Sequence, residues 1–378
     1  MHSLPSDAQR PRLVVGTMTG TSLDGIDVAV ASVEGKGLAM TVALRTHASV
    51  DFPPALGASL RALAEQRPMT ARDVASLARS FALFHAEAIR SLLEVEAIRA
   101  DLIVAHGQTV FHAPPVSWQL LQPAPMVELL GTTTVCDLRQ ADLAAGGQGA
   151  PITPLADWIL FRGATDRAVI NLGGFCNVTF LPGGSGPEGV RGADICACNQ
   201  VLDAVARRVL HRPFDPDGAA AGRGIVDVGA TDRLMAILRD QRGRRRSLGT
   251  GDEASMWVER ELERLRPEDL AASAATAVGT VIGESATQAG LTENAELLLA
   301  GGGARHRPLV EAIALANGDS SGTRTRPLNA YGVPIEAREA LEMTVLGALA
   351  QDGLSITLAA VTGRQPPQAR DGLWCFAR

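Results

Sequence analysis

Residues 15–30, VGTMTGTSLDGIDVAV, place glycines, four hydroxyl side chains and two acids between mostly apolar runs. Backbone N–H groups in such a turn can bind a phosphate, and the hydroxyls add further donors. The segment lacks the Gly-Lys-Ser/Thr sequence of a Walker loop, and no helix is predicted to begin here as in a Rossmann turn. A hairpin that clasps phosphate is the remaining interpretation. A plain tight turn, its alternative, would not need so long a segment.

Asp24 and Asp27 lie in this turn or at its edge. A carboxylate beside phosphate groups commonly holds Mg²⁺, often through water. An Asx-turn, in which the side chain bonds to its own backbone, accounts for the same residues equally well. The sequence therefore leaves magnesium binding and turn formation open for both acids.

Two further segments have residue types suited to binding or catalysis. Residues 297–306, LLLAGGGARH, lead from an apolar run into Gly301, Gly302 and Gly303, where an adenosine could lie against bare backbone. A close contact between a helix and a strand is the alternative. Asp194 follows a turn and precedes a helical pattern, which makes it a candidate general base. An isolated Asp before a helix is more often an N-cap.

The histidines and cysteines carry weaker signals. His106 begins the run HGQTVFH and could orient a sugar, but a structural histidine with satisfied hydrogen bonds is the favoured interpretation. Cys196 and Cys198 form a C-x-C pair without a second pair nearby, whereas zinc requires four well-spaced ligands. We therefore expect buried thiols and no metal bound by these cysteines.

Composition narrows the class of protein. The 378 residues are 46% hydrophobic with a net charge of −6, enough for a large core and for two domains. The one basic run, residues 242–246, is typical of a solvated loop, so no nucleic-acid partner is expected. No apolar run approaches the ~20 residues of a membrane span, and residues 1–12 lack the apolar region of a signal peptide. We expect a cytoplasmic protein that does not bind membranes.

The elements that position these motifs form one pattern that occurs twice. A hairpin with a glycine turn and further strand precedes a helix and an apolar strand with polar residues at its end. Predicted strands cover residues 13–15, 28–30, 40–50, 102–105, 132–135, 168–172 with a following hairpin, and 296–299. Predicted helices cover residues 60–65, 71–95, the segment after Asn199, 270–289 and 334–349, and residues 354–361 form a late strand or a short return segment. The doubled pattern predicts two mixed α/β halves facing each other across a cleft, with ligands at the carboxyl ends of strands.

Seven motifs together resemble one family over almost the whole chain. They are GTMTGTSLDGIDVAV, HGQTVFH, DLRQADLAAGGQGAP, NLGGFCNVT, FDPDG, LAGGGAR and VTG, in the order seen in the anhydro-N-acetylmuramic acid kinase family. The resemblance implies the actin, hexokinase and heat-shock-protein-70 ATPase superfamily. It implies two actin/hexokinase-like (ribonuclease H-like) domains with mixed sheets around an ATP cleft, which we place at residues 1–140 with 355–378 and at residues 141–354.

The resemblance also implies an activity and its ligands. The family uses ATP and Mg²⁺ to hydrolyse the 1,6-anhydro bridge of anhydro-N-acetylmuramic acid. It phosphorylates O6 in the same event and gives N-acetylmuramic acid 6-phosphate in cell-wall recycling. Water attacking the anomeric carbon needs a carboxylate base, as in inverting glycosidases. The family further suggests a homodimer.

Residue roles follow from the same resemblance. Asp194 matches the catalytic aspartate, and Thr109, Arg139, Asn199 and Glu339 match sugar-contacting positions. Arg139 could pair with the lactyl carboxylate of the muramic acid. The ATP-binding positions are Gly20, Thr21, Ser22, Leu23, Asp24, Gly25, Ile26, Asp27, Gly173, Gly174, Gly301, Gly302 and Gly303.

One departure from the family pattern affects the sugar pocket. The family usually has D-T-G-P-G-N where this chain has D-I-C-A-C-N at residues 194–199. Side chains in place of bare backbone should shrink or reshape the pocket. Two alternatives to the leading function therefore stand: a kinase acting on another 1,6-anhydro sugar such as levoglucosan, and a weakly active sensor that binds ATP and sugar.

Overall fold

The computed structural model describes residues 10–20, 23–243, 252–288, 290, 292–366 and 369–378. The chain divides into two compact units, Met1–Leu160 with Ala337–Arg378 and Phe161–Glu336. The boundaries expected from sequence, after residues 140 and 354, differ from this division. Asp157 and Arg338, which the expected boundaries place in the second domain, both lie in the first unit, where Arg338 donates to both carboxylate oxygens of Asp157 at 2.8 and 3.0 Å.

The first unit is a mixed α/β structure. Its elements are β1 (Arg12–Met18), β2 (Gly25–Glu34), β3 (Thr41–Asp51), α1 (Pro54–Ala64), α2 (Ala71–Val95), β4 (Leu102–Ala105), β5 (Gln108–Ala113), β6 (Val116–Leu120), α3 (Pro123–Leu130), β7 (Thr134–Cys136), α4 (Gln140–Ala144) and α5 (Pro154–Phe161). The second unit follows with β8 (Arg167–Leu172), β9 (Phe175–Leu181), β10 (Arg191–Ala197), α6 (Asn199–Val205), α7 (Val228–Gly243), α8 (Asp252–Glu261), α9 (Pro267–Gln288), β11 (Glu296–Ala300), α10 (Arg307–Ala316) and β12 (Thr325–Pro327). The chain then returns to the first unit with α11 (Arg338–Gln351), α12 (Ala359–Thr362) and β13 (Leu373–Cys375).

The two main sheets share one topology. The first has the order β13-β7-β4-β1-β2-β3 and the second the order β10-β9-β8-β11-β12. In each, three strands form an antiparallel meander, and two more strands run parallel to the first strand of that meander. This repeated order confirms the doubled pattern, and each unit has the mixed, helix-flanked sheet of the actin/hexokinase-like class.

Helices cover the first sheet through specific local signals. α2 begins with a capping box in which the Thr70 hydroxyl accepts from the Asp73 backbone N–H and the Asp73 carboxylate accepts from that of Thr70. Its buried face includes Leu77, Phe81 and His85, spaced as a helix stripe requires. α11 lies against β1 so closely that a Cβ on Gly16 would stand 2.0 Å from the Ala340 carbonyl oxygen.

Most predicted elements are present, with differences at their ends. The opening hairpin, the long helix α2, the β8–β9 hairpin and the helix α9 are confirmed. Residues 354–361 contain no strand and form a return segment that ends in α12. The HGQTVFH run was expected only to follow a strand, but its residues 108–112 lie in β5, which forms a two-stranded ribbon with β6.

No described helix is long and apolar enough to cross a membrane.

Candidate active site

The opening turn of the first unit is held by one buried amide. β1 and β2 pair until Met18 lies opposite Asp27. Beyond this pair, the Thr19 hydroxyl donates to Gln108 Oε1 at 2.8 Å, and Gln108 Nε2 donates to the Gly20 carbonyl at 3.2 Å. Gln108 is therefore a site-building residue that the sequence analysis missed, although it lies within the HGQTVFH motif.

The residues assigned to ATP in this turn have different surroundings. Thr21 and Ser22 lie outside the described residues. The side chains of Leu23 and Ile26 are buried in the apolar core of the first unit, so only their backbone can face a ligand. A Cβ on Gly25 would stand 2.4 Å from the Val50 carbonyl oxygen, so strand packing by itself requires glycine there.

The acids of the turn lie near a third acid. The Ser49 hydroxyl donates to Asp27 Oδ1 at 2.5 Å. Burial raises the pKa of the Asp27 carboxyl, and the charges of Glu339 and Asp24 raise it further. Glu339 is in the first turn of α11. Asp27 and Glu339, which the sequence assigned to different ligands, therefore belong to one acidic region that would favour a cation.

Thr109 lies on the β5–β6 ribbon beside a second amide. Gln119 Nε2 donates to its hydroxyl at 3.4 Å, and the side chain is partly exposed. Gln119 also donates to Ser117 at 2.9 Å. This arrangement orients Thr109 without burying it, so its hydroxyl remains accessible to a ligand.

Arg139 is held by neutral acceptors. Its Nε and Nη2 donate to His106 Nε2 at 3.3 and 3.1 Å, and Nη1 donates to the Gly149 carbonyl at 2.7 Å. Burial lowers the pKa of Arg139 to about 10, so the guanidinium stays charged at neutral pH. Burial, followed by the charge of Arg139, lowers the pKa of His106 well below its usual range.

The loop that carries Gly149 is fixed by Asp142, another residue that the sequence analysis missed. The fully buried Asp142 carboxylate accepts from the Gly149 backbone N–H at 2.7 Å and from the hydroxyls of Thr357 and Thr362 at 2.6 and 2.7 Å. Thr362 belongs to the VTG motif. The DLRQADLAAGGQGAP and VTG motifs are therefore two parts of one hydrogen-bonded network.

In the second unit, Asp194 lies within a strand. It is on β10 opposite Asn177 of β9, just before a β-bulge at Ile195. Cys198 is the N-cap of α6, so the N-cap alternative for Asp194 is wrong. The side chain is exposed, and no described residue donates a hydrogen bond to its carboxylate. Partial loss of hydration raises the pKa of the Asp194 carboxyl.

The segment that departs from the family pattern faces inward. Ile195, Cys196, Ala197 and Cys198 are each at most 2% exposed and belong to the core of the second unit. Cys196 lies opposite Cys176, and burial raises the pKa of the Cys176 thiol well above its usual range. These side chains occupy core volume, so they could reshape a pocket only by changing the packing behind it, and that expectation stays a prediction.

The cysteines also bear on metal binding. Cys136, Cys176, Cys196, Cys198 and Cys375 are free thiols. Among the residues that the structure describes, no group of three or more His, Cys, Asp or Glu side chains could hold a metal ion.

The five glycines of the second unit that were assigned to ATP, Gly173, Gly174, Gly301, Gly302 and Gly303, fall into two classes: those that packing requires and those beside open space. Gly301 has φ +77°, and a Cβ there would stand 2.8 Å from Asn171 Oδ1, while one on Gly303 would stand 2.8 Å from Leu172. A Cβ on Gly302 would meet nothing closer than 3.8 Å. Gly301 and Gly303 are thus needed for the packing of the protein itself, whereas Gly302 leaves open space.

Gly173 and Gly174, in the turn after β8, resemble Gly302, because packing does not require glycine there. A Cβ on Gly173 or Gly174 would make only ordinary contacts, at 3.4 and 3.6 Å. Asn199 holds this turn, because its backbone N–H donates to the Gly173 carbonyl and its Nδ2 donates to the Leu172 carbonyl, both at 2.9 Å. Asn199 therefore orders the glycine turn. Its side-chain oxygen accepts from the Cys198 thiol at 3.8 Å and can accept a second hydrogen bond from a ligand.

Comparison with known proteins assigns the chain to a family. The family profile for anhydro-N-acetylmuramic acid kinase matches residues 12–370. Curated relatives with that name include proteins of Salinibacter ruber, 35% identical over 93% of each chain, and of a Synechococcus species, 34% identical over 93% of this chain and 96% of the relative.

A solved structure supports the fold alone. Component A of the (R)-2-hydroxyglutaryl-CoA dehydratase of Acidaminococcus fermentans superposes with a TM-score of 0.50 at 13% identity, over 90% of this chain and 99% of that one. The match along nearly the whole sequence and the identity above 30% are decisive. This chain belongs to the anhydro-N-acetylmuramic acid kinase family.

Proposed function

We propose that this protein is an ATP-dependent kinase that opens the 1,6-anhydro bridge of anhydro-N-acetylmuramic acid and phosphorylates O6. The product is N-acetylmuramic acid 6-phosphate, an intermediate of cell-wall recycling. The observation that carries the proposal is the family match over residues 12–370, a range that includes Asp194. Its exposed position on β10 leaves this carboxylate accessible to water.

Asp194 acts as the general base. A base with a raised pKa accepts a proton more readily than an ordinary aspartate does. The absence of a described hydrogen-bond donor to its carboxylate keeps both oxygens available for a water molecule. The water oxygen bonds to the anomeric carbon as Asp194 takes a proton from the water.

Each bond that forms in the reaction is matched by a bond that breaks. As the new C1–O bond forms, the C1–O6 bond breaks and its electrons pass to O6. O6 then attacks the γ-phosphorus of ATP, and the bond from that phosphorus to the bridging oxygen of ADP breaks. Asp194 later releases its proton to solvent. Water attacks from the face opposite the departing O6, so the anomeric configuration inverts.

The opening turn of the first unit binds the phosphates of ATP. Gln108 fixes Thr19 and Gly20, so the backbone is ordered before the nucleotide arrives. Asp24 and Asp27 would hold Mg²⁺, because Asp27 has acidic neighbours whose repulsion a cation relieves. When bound, Mg²⁺ neutralises negative charge on the phosphate oxygens.

The remaining assigned residues bind the sugar and the adenosine. Arg139 pairs with the lactyl carboxylate, and Thr109 and Glu339 contact the sugar ring or its substituents. Asn199 contributes its side-chain oxygen. The open backbone at Gly302 and at the Gly173–Gly174 turn accommodates the adenosine.

We further propose a cytoplasmic homodimer. The reaction consumes ATP, which favours the cytoplasm. The β5–β6 ribbon exposes Phe111, Val116 and Trp118, at 38%, 60% and 44%, and such apolar surface is typical of contacts between subunits. Light scattering after size-exclusion chromatography would test the dimer, and a monomer at micromolar concentration would exclude it.

The decisive test of the reaction uses isotope-labelled water. The purified protein, ATP, Mg²⁺ and anhydro-N-acetylmuramic acid are mixed in H₂¹⁸O, and the product is analysed by mass spectrometry and NMR. We expect one ¹⁸O on the anomeric carbon, none in the phosphate and an inverted anomer at first. Label in the phosphate, or ADP formation without a sugar phosphate, would contradict the proposal. Levoglucosan, run in parallel, separates this substrate from a simpler anhydro sugar.

A further inference from the structure

The guanidinium of Arg139 is a cation in the first unit without an anionic partner. Its three hydrogen bonds go to an imidazole nitrogen and a backbone carbonyl, both of them neutral. No carboxylate in the described parts of the chain lies within 4.0 Å of it. Asp137, Asp142 and Glu339 act on it only through longer-range charge. A partly buried cation without a counter-ion is costly unless a ligand supplies one.

The bonds already made determine which part of Arg139 is available. A guanidinium has five N–H groups. Nε and Nη2 each use one on His106, and Nη1 uses one on the Gly149 carbonyl. One N–H on Nη1 and one on Nη2 remain, and N–H groups on the two terminal nitrogens can bind a carboxylate in a bidentate manner.

His106 can hold this edge only as a neutral ring. Its Nε2 accepts from Arg139 and is therefore unprotonated, which places the ring hydrogen on Nδ1. Behind it, the Thr17 carbonyl accepts from the His106 backbone N–H at 3.1 Å, and the Thr17 hydroxyl bonds to His85 Nδ1 at the same distance. Burial lowers the pKa of His85 to about 3. His106, Thr17 and His85 are thus all uncharged, and none of them neutralises the charge of Arg139 in place of a bound anion.

We propose that His106 is a positioning residue that fixes Arg139 with its free edge towards a carboxylate on the sugar, and so makes the site select anhydro sugars that bear one. This inference rests on the proposed function. It differs from a purely structural role for His106 because it links one buried imidazole to discrimination between a sugar with a charged carboxylate and its neutral ester.

The test compares anhydro-N-acetylmuramic acid with its methyl ester, which adds one methyl to the lactyl group and removes its charge. Calorimetry gives both affinities without requiring turnover. The wild type should prefer the acid. His106→Leu removes the acceptor and should weaken binding of the acid about tenfold to a hundredfold, the range for a hydrogen bond to a charged group, and leave the ester unchanged.

Matched variants separate positioning from loss of structure. His106→Gln replaces Nε2 with an amide oxygen and should retain the preference for the acid. His112→Gln, in the same motif but bonded to Ser117, should behave as wild type. If His106→Leu does not fold, His106→Asn, whose amide is too short to reach Arg139, should show the same loss.

The possible outcomes are distinguishable. A wild type that binds neither ligand refutes the proposed function and this inference with it. A wild type that binds both equally refutes carboxylate selection alone. Equal losses for acid and ester in the His106 variants refute positioning and leave His106 a structural residue.

Discussion

The two units have the same strand order, yet they place their acids on different strands of the meander. In the first unit the acid, Asp27, is on the second strand, and the small polar residue opposite it, Ser49, is on the third. In the second unit the positions are exchanged, with Asn177 on the second strand and Asp194 on the third. One fold therefore presents two carboxylates from two different positions.

The surroundings of the two acids differ as well. Asp27 accepts a short hydrogen bond from Ser49 and has Glu339 and Asp24 as charged neighbours. Asp194 has no described donor and no described acid among the causes of its raised pKa. A carboxylate held among other acids suits cation binding, whereas an unengaged one suits proton transfer. The comparison favours the proposed metal binding by Asp27 and the proposed base catalysis by Asp194.

The largest expected effect comes from Asp194→Asn. The amide keeps the size of the side chain but cannot accept a proton, and general base catalysis typically contributes ~10²–10⁴-fold. Turnover of anhydro-N-acetylmuramic acid should fall by at least about two orders of magnitude, with sugar affinity nearly unchanged. A steady-state assay with calorimetry checks both. An Asn variant that keeps more than roughly a tenth of the wild-type rate would remove Asp194 from the mechanism.

The next effect concerns Asp27. Asp27→Asn should weaken MgATP binding about tenfold to a hundredfold, the range typical of residues that support a bound metal, and should raise the Mg²⁺ concentration needed for half-maximal rate. Ser49→Ala is the control, because it removes the hydrogen bond and keeps the charge. If the Ala variant loses as much affinity as the Asn variant, the hydrogen bond and not the carboxylate is what matters.

A smaller effect distinguishes the glycines of the second unit. Gly301→Ala places a Cβ at φ +77° against Asn171 and Leu172, and should lower the free energy of unfolding by about 1–3 kcal/mol. Gly302→Ala enters open space and should unfold like the wild type while binding ATP more weakly. Thermal unfolding and ATP calorimetry on both variants provide the comparison. Unchanged ATP affinity for Gly302→Ala would exclude an adenosine at that backbone.

The sequence predicted the parts of the fold that local pattern determines. Both hairpins followed from apolar runs interrupted by glycine, and α2 followed from its spacing of apolar residues. Because each unit repeats the same local order, the doubled architecture was visible as well. The approximate location of Asp194 also followed from local pattern, although the sequence alone placed it beside a helix and not within β10.

The residues that build the site from a distance could not be predicted. Gln108 bonds to Thr19 across 89 positions, and Asp142 bonds to Thr357 across 215. A polar side chain within a motif does not indicate which distant residue it will bond to. Arg338 and Asp157, which pair within the first unit, are likewise 181 positions apart.

The smallest expected effect tests whether Asp194 is kept at a cost in stability. A carboxyl whose pKa is raised on folding binds more protons in the folded state than in the unfolded state at any pH between its two pKa values. Its contribution to the free energy of unfolding therefore decreases as the pH rises through that window. At pH 7.5 Asp194→Asn should therefore have a slightly higher Tm than the wild type, although it is nearly inactive. The difference should shrink as the pH falls towards ~4, the ordinary pKa of an aspartate. Scanning calorimetry from pH 7.5 to 4.5 measures the trend. A less stable Asn variant at pH 7.5 would show that the Asp194 carboxylate stabilises its unit, which would weaken the contrast with Asp27 on which its assignment as the free base depends.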